Sequence, residues 1–206
     1  MRFSLGKENA ANPAAIEPLK VLHTEKNIHD ILLKKLHSML ADVPAHKPIV
    51  VICVGTDRST GDSLGPLVGS HLTKLHLDGV HLYGTLENPV HAMNLNETLT
   101  TVYQHFNDPF IVAIDACLGQ LTSVGCIQIG HGPVKPGAGV NKDLPPVGNM
   151  HVTGIVNVGG FMEYFVLQNT RLSLVMSMAE VISSALYHSM LHLRSKGATP
   201  YVRIEK

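Results

Sequence analysis

Two short runs of the chain are apolar at every position: residues 49–54 (Ile-Val-Val-Ile-Cys-Val) and residues 110–114 (Phe-Ile-Val-Ala-Ile). A strand of this kind has no polar face to turn toward water, so it must be covered on both sides. The first run stops at Gly55, and after the loop of residues 56–62, Leu64, Leu67, Val68, Leu72 and Leu75 recur at helical spacing. Pro66 is tolerated there because the first-turn amides of a helix have no intrahelical partner. Residues 80–86 read as a second strand and 95–106 as a second helix, before the run at 110–114. Strand and helix alternating in this way predict parallel strands joined by crossover helices, an α/β fold.

The remaining elements follow from the same signals. Thr24 is a candidate N-cap for a helix whose apolar face is Ile28, Ile31, Leu32, Leu36, Met39 and Leu40, ended by Pro44 and Pro48. Residues 125–130 predict a further strand, antiparallel because the linker before it is too short for a helix, and residues 151–156 another. Residues 173–193 predict a long helix with a broad apolar stripe. Residues 1–23 mix glycine, proline, alanine and scattered charges, which predicts a flexible N-terminal arm ahead of one domain over 24–206. The segment 131–149 holds four glycines and four prolines and predicts a functional loop or disorder.

Composition narrows the partners. Sixteen Lys plus Arg balance sixteen Asp plus Glu, without the basic excess that a phosphate backbone requires, so nucleic acid is not an expected partner. Cys53, Cys117 and Cys126 are odd in number and lack CxxC spacing, which fits a reducing compartment. Neither an apolar leader nor an uninterrupted apolar stretch of about 18 residues is present, so the expectation is a cytoplasmic protein with no membrane partner.

In a parallel sheet, ligands collect beyond the carboxyl ends of the strands. Asp62 closes the loop after the first apolar run and Asp115 directly follows the run at 110–114, so both are expected at that edge. Two carboxylates in one crevice share a proton, titrate apart and act as general acid and base. The bland alternatives are a helix N-cap for Asp62 and a strand-end hydrogen-bond acceptor for Asp115. The loop is not a phosphate cradle, since Asp62 stands where the lysine of that motif belongs. Gly61-Asp62-Ser63-Leu64 spells the GDSL esterase motif, with Ser63 as nucleophile, but no aspartate follows Asp143 to supply that family's DxxH base. No GxGxxG dinucleotide fingerprint follows any strand. His131 or His151 joining Asp62 and Asp115 around a divalent metal is a further reading.

Residues 55–66, Gly-Thr-Asp-Arg-Ser-Thr-Gly-Asp-Ser-Leu-Gly-Pro, resemble the first acidic segment of the spore germination protease family, and Ile114-Asp115-Ala116 resembles its second. Ile127-Gln128-Ile129 followed by Pro136-Gly137-Ala138-Gly139-Val140-Asn141 is similar to that family's PGSG-containing stretch, in the same order. The chain also resembles a family of sporulation proteins related to that protease and, more distantly, the hydrogenase maturation endopeptidases, whose acids bind a metal. The resemblance implies a three-layer α/β/α sandwich of the phosphorylase/hydrolase type with a mostly parallel sheet. It implies an endopeptidase in which Asp62 and Asp115 activate water, with the backbone of Gly137, Gly139 and Asn141 steadying the oxyanion and Ser63 not catalytic. The implied partners are a protein or peptide substrate such as a small acid-soluble spore protein, with a homo-oligomer open, and the implied location is the forespore or spore interior. A metal-binding hydrolase of the hydrogenase-maturation type and a non-catalytic peptide- or effector-binding sporulation protein are the alternatives.

Overall fold

The computed structural model describes residues 18–76, 79–137 and 144–195. Its six-stranded sheet contains β1 (Leu19–Leu22), β2 (Ile49–Cys53), β3 (Val80–Tyr83), β4 (Phe110–Gly119), β5 (Cys126–His131) and β6 (Met150–Val158), in the spatial order β1-β5-β6-β4-β2-β3. The neighbours β6, β4, β2 and β3 are parallel, and β5 is antiparallel to both β6 and β1. The helices are α1 (Ile28–Leu40), α2 (Leu64–Lys74), α3 (Leu95–His105), α4 (Glu163–Gln168) and α5 (Leu172–Ser195).

Every residue of β2 is buried, as its unbroken apolar sequence requires. Val51 and Cys53 join the cores of α1, α2 and α5 on one face of the sheet, whereas Val50 and Ile52 join Leu95, Val102 and Phe106 from α3 on the other. Helices therefore cover both faces, which makes the expected three-layer α/β/α sandwich. Between β2 and β4 the chain changes direction: β2 leaves through α2 on one face to β3, and β3 returns through α3 on the opposite face to β4. That reversal opens a crevice at the carboxyl ends of β2 and β4, the place where open α/β sheets bind ligands.

Three expectations need correction. The arm does not extend to residue 23, because Leu19 to Leu22 pair antiparallel with Ile129 to Cys126, and their alternating exposure is that of an edge strand; residues 1–17 lie outside the described residues. Helix α1 is preceded by Asn27, not Thr24, as its N-cap. Asp115 does not follow its strand but lies inside it, since β4 runs on to Gly119 while β6 pairs with it, Asp115 opposite Thr153. Helix α4 carries no buried residue, which is why no apolar periodicity announced it.

Helix α2 is held unusually close to the sheet. A Cβ on Gly65 would strike the carbonyl oxygen of Val54, and one on Gly69 would strike that of Gly84. Both obstacles are backbone and cannot rotate away. Gly69→Ala is expected to cost about 1–3 kcal/mol in urea unfolding. Gly154→Ala, whose new methyl would meet only the tips of Leu64 and Met178, is expected to cost less. The reverse ranking would show that this approach is not the tight one.

Candidate active site

The loop between β2 and α2 is folded back on itself. Thr56 N donates to Asp62 O at 3.1 Å, and Gly55 N donates to Val90 O at 2.8 Å. Gly55 has φ 143°, and a Cβ there would run into Asp62 O and Pro66, so only glycine lets the loop close. This closure delivers Asp62, within the single 3-10 turn Gly61–Ser63, to the edge where β4 carries Asp115. Asp62 is not the N-cap of α2; that position is Ser63.

Asp115 is 5% exposed, and its Oδ1 accepts from Ala116 N at 2.9 Å. Burial pushes its titration well above the carboxylate range, and the neighbouring charge of Asp62 pushes it further. Asp62 is half-buried; burial raises it too, while the charge of His91 works in the opposite direction. The two acids sequence analysis selected are thus electrostatic neighbours in one crevice. Asp115 carries a proton over a range in which an ordinary aspartate is ionised.

Ser63 is buried and its Oγ donates to Thr60 O at 2.7 Å. Its hydroxyl is spent on a main-chain carbonyl, which cannot act as a general base, so the GDSL reading fails on geometry. The metal reading with His131 or His151 is also corrected. His131 pairs with Met150 at the amino end of β6, and His151 directs Nδ1 to Gly132 O at 3.0 Å, away from the carboxyl edge. Among the described residues, no three His, Cys, Asp or Glu side chains cluster closely enough to hold a metal ion. Gly137 belongs to a loop anchored where β6 begins, by Gly132 N to Asn149 O and by the Val134–Val147 bridge. Gly139 and Asn141 lie outside the described residues.

Sequence reasoning missed several residues around the acids. His91 reaches Asp62 because residues 84–94, after β3, are pinned to the end of β2 by the Val54–Val90 bridge. A polar row also crosses the sheet: register pairs join Lys20 to Gln128, Gln128 to Thr153 and Thr153 to Asp115. Next to it, burial pushes the Cys117 thiol up to about 11 against a hydrogen bond with Thr153, so it is not a ready nucleophile. The signal available in sequence was a polar residue flanked by apolar ones in each of these strands. At the same end of the sheet, Leu121, Phe161, Met162, Tyr164 and Phe165 stand exposed, Phe161 at 84%. Helix α4 leans on the Asp62 turn through Leu167, which lies against Gly61.

Comparison with known proteins places these residues in context. Residues 20–185 match the family described as "Protein of unknown function (DUF1256)". The chain is 56% identical over 170 residues to "Uncharacterized protein YyaC" of Bacillus subtilis (strain 168), covering 81% of this chain and 80% of that one. Its fold is similar to that of a NiFe hydrogenase maturation protease, HycI from Thermococcus kodakarensis KOD1. The TM-score is 0.51 at 16% identity, over 76% of this chain and 99% of HycI.

Raised titration of Asp115 has a signed consequence for stability. Below the unfolded pKa near 4 both states hold the proton and Asp115 costs nothing. As pH rises toward its raised folded value, the unfolded state ionises first, and the folded state loses stability. Asp115→Asn, which keeps shape without the charge, is therefore expected to stabilise the fold at pH 8 by more than about 1 kcal/mol. That gain should vanish near pH 4, as read from urea unfolding at both pH values.

Proposed function

Because the chain belongs to the DUF1256 family, whose function is unknown, its activity has to be argued from its own site, and we propose that this site hydrolyses a peptide bond. One observation carries the reading: a buried, proton-holding Asp115 lies beside a more accessible Asp62 at the reversal point of a peptidase-like α/β fold. The two environments divide the labour of acid and base. Asp62 takes a proton from water as the water oxygen attacks the substrate carbonyl. Asp115 then gives its proton to the leaving amine as the C–N bond breaks. The exposed Phe161, Met162, Tyr164 and Phe165 favour an extended peptide with apolar side chains along the entrance. A small acid-soluble spore protein in the forespore is the substrate and setting we carry forward from the resemblance.

The same apolar rim favours one second reading, in which the crevice holds a peptide without cutting it. Purified protein mixed with small acid-soluble spore proteins separates the two by mass spectrometry. Asp62→Asn and Asp115→Asn are each expected to lower cleavage by about 10²-fold or more, with the double variant hardly worse, because the pair acts as a unit. Ser63→Ala should cleave like the parent. The pH profile should be bell-shaped, with its alkaline limb set by Asp115 above the ordinary carboxylate range. Cleavage surviving both asparagine substitutions refutes the mechanism, and folded protein that binds these substrates uncut transfers the case to the binding reading.

A further inference from the structure

Helix α5 is the longest element, and its sequence is lopsided in charge. Between Leu172 and Leu193 there is no lysine or arginine and one carboxylate, Glu180. The helix is long and apolar enough to cross a membrane by length and composition, yet only half of that stretch is buried. Val175, Met178, Ala179, Ile182, Ala185, Leu186 and Met190 enter the core, where α5 lies between α1 and α2. The outer stripe consists of Ser173, Met176, Ser177, Glu180, Ser184, Tyr187, His188 and Leu191. Met176 and Leu191 are exposed, and the serines leave the middle of the stripe narrow.

The carboxylate and the imidazole of this stripe are placed symmetrically. Glu180 and His188 each lie four residues, about one turn, from Ser184. Separated by two turns, they are too far apart to pair with each other on their own helix. The Glu180 carboxylate forms no ion pair among the described residues. His188 donates Nδ1–H to Ser184 O at 2.8 Å, which leaves Nε2 as the nitrogen for another partner. Glu180, Ser184 and His188 also line, together with His71, Lys74 and Leu75 of the α2 flank and Tyr187, a cavity of about 370 Å³.

We propose that the outer face of α5 is the contact surface for a second copy of this chain, packed antiparallel about a two-fold axis at Ser184. Residues equidistant from Ser184 then meet, so Glu180 faces the partner's His188 and His188 faces the partner's Glu180. A two-fold contact must be complementary to itself, and an acid and a base placed evenly about one small residue satisfy that condition. The same rotation sets Ser177 against the partner's Leu191, seating a large apolar side chain over a small one. It also brings the two α2 flanks together, so that each cavity is closed by its counterpart.

The test uses the full chain in sedimentation velocity over a concentration series. The parent is expected to be a dimer. E180K, which sets an ammonium against the partner's imidazole, and H188E, which sets carboxylate against carboxylate, each twice across the axis, should weaken self-association at least tenfold. An equimolar mixture of E180K and H188E should restore a dimer, because one facing pair is then Lys–Glu and the other the parental His–Glu, and the double variant E180K/H188E should dimerise on its own. Recovery on mixing also shows that both single variants are folded. A parent that stays monomeric overturns the proposal. So do a dimer indifferent to both substitutions, single variants that stay monomeric when mixed, and a parent that partitions onto lipid vesicles in place of self-associating.

Discussion

Two neighbouring central strands with no polar side to show impose the architecture. Since β2 and the first half of β4 are apolar throughout, each needs a layer of helix above and below. Short connections then send α2 and α3 to opposite faces. The crevice at the ends of β2 and β4 is the geometric remainder of that covering, the gap left where the two crossovers depart in different directions. The close glycine contacts of α2 with Val54 and Gly84 fix how near that helix lies to the strand ends.

Inside the gap, the protein keeps a cost that a purely structural sheet would shed. A carboxylic acid at position 115 loses hydration on burial and gains a like-charged neighbour, with Ala116 N as a single backbone donor in return. An alanine or valine there would remove the penalty. The polar row from Lys20 through Gln128 and Thr153 to Asp115 extends the same exception across four strands. Breaks of this kind in an otherwise consistent core are where function is to be sought.

Much of the layered fold was readable because burial on both faces leaves a plain trace in sequence. Elements stabilised by pairing instead of by an apolar face were not. Strand β1 is four residues on an edge, half of them exposed, and α4 has no fully buried residue, Leu167 being partly buried against the core. Asp115 was legible because it directly follows an apolar run, and Asp62 because it closes the loop after one. His91 was not, since its place depends on one backbone bridge that joins residues 54 and 90. His131 and His151 misled for the converse reason: they flank the glycine-rich segment in sequence, but β5 runs against β6, so the end of β5 with His131 and the start of β6 with His151 meet at the other edge.

The position of β1 shapes how the molecule can be made. Its contacts with the 120s, such as Lys20 Nζ to Ser123 Oγ and His23 Nδ1 to Gly125 O, span 103 and 102 residues. At synthesis rates of about 5–20 residues per second, β1 leaves the ribosome roughly 5–20 s before its partner exists. A bare strand is sticky for that whole interval. With Lys20 and Leu22 facing solvent and only Leu19 and Val21 turned inward, this one is short and carries a charge at its middle, able to wait without finding the wrong neighbour. The seam that waits longest for its second strand is thus the one drafted first, and its brevity is a safeguard during translation.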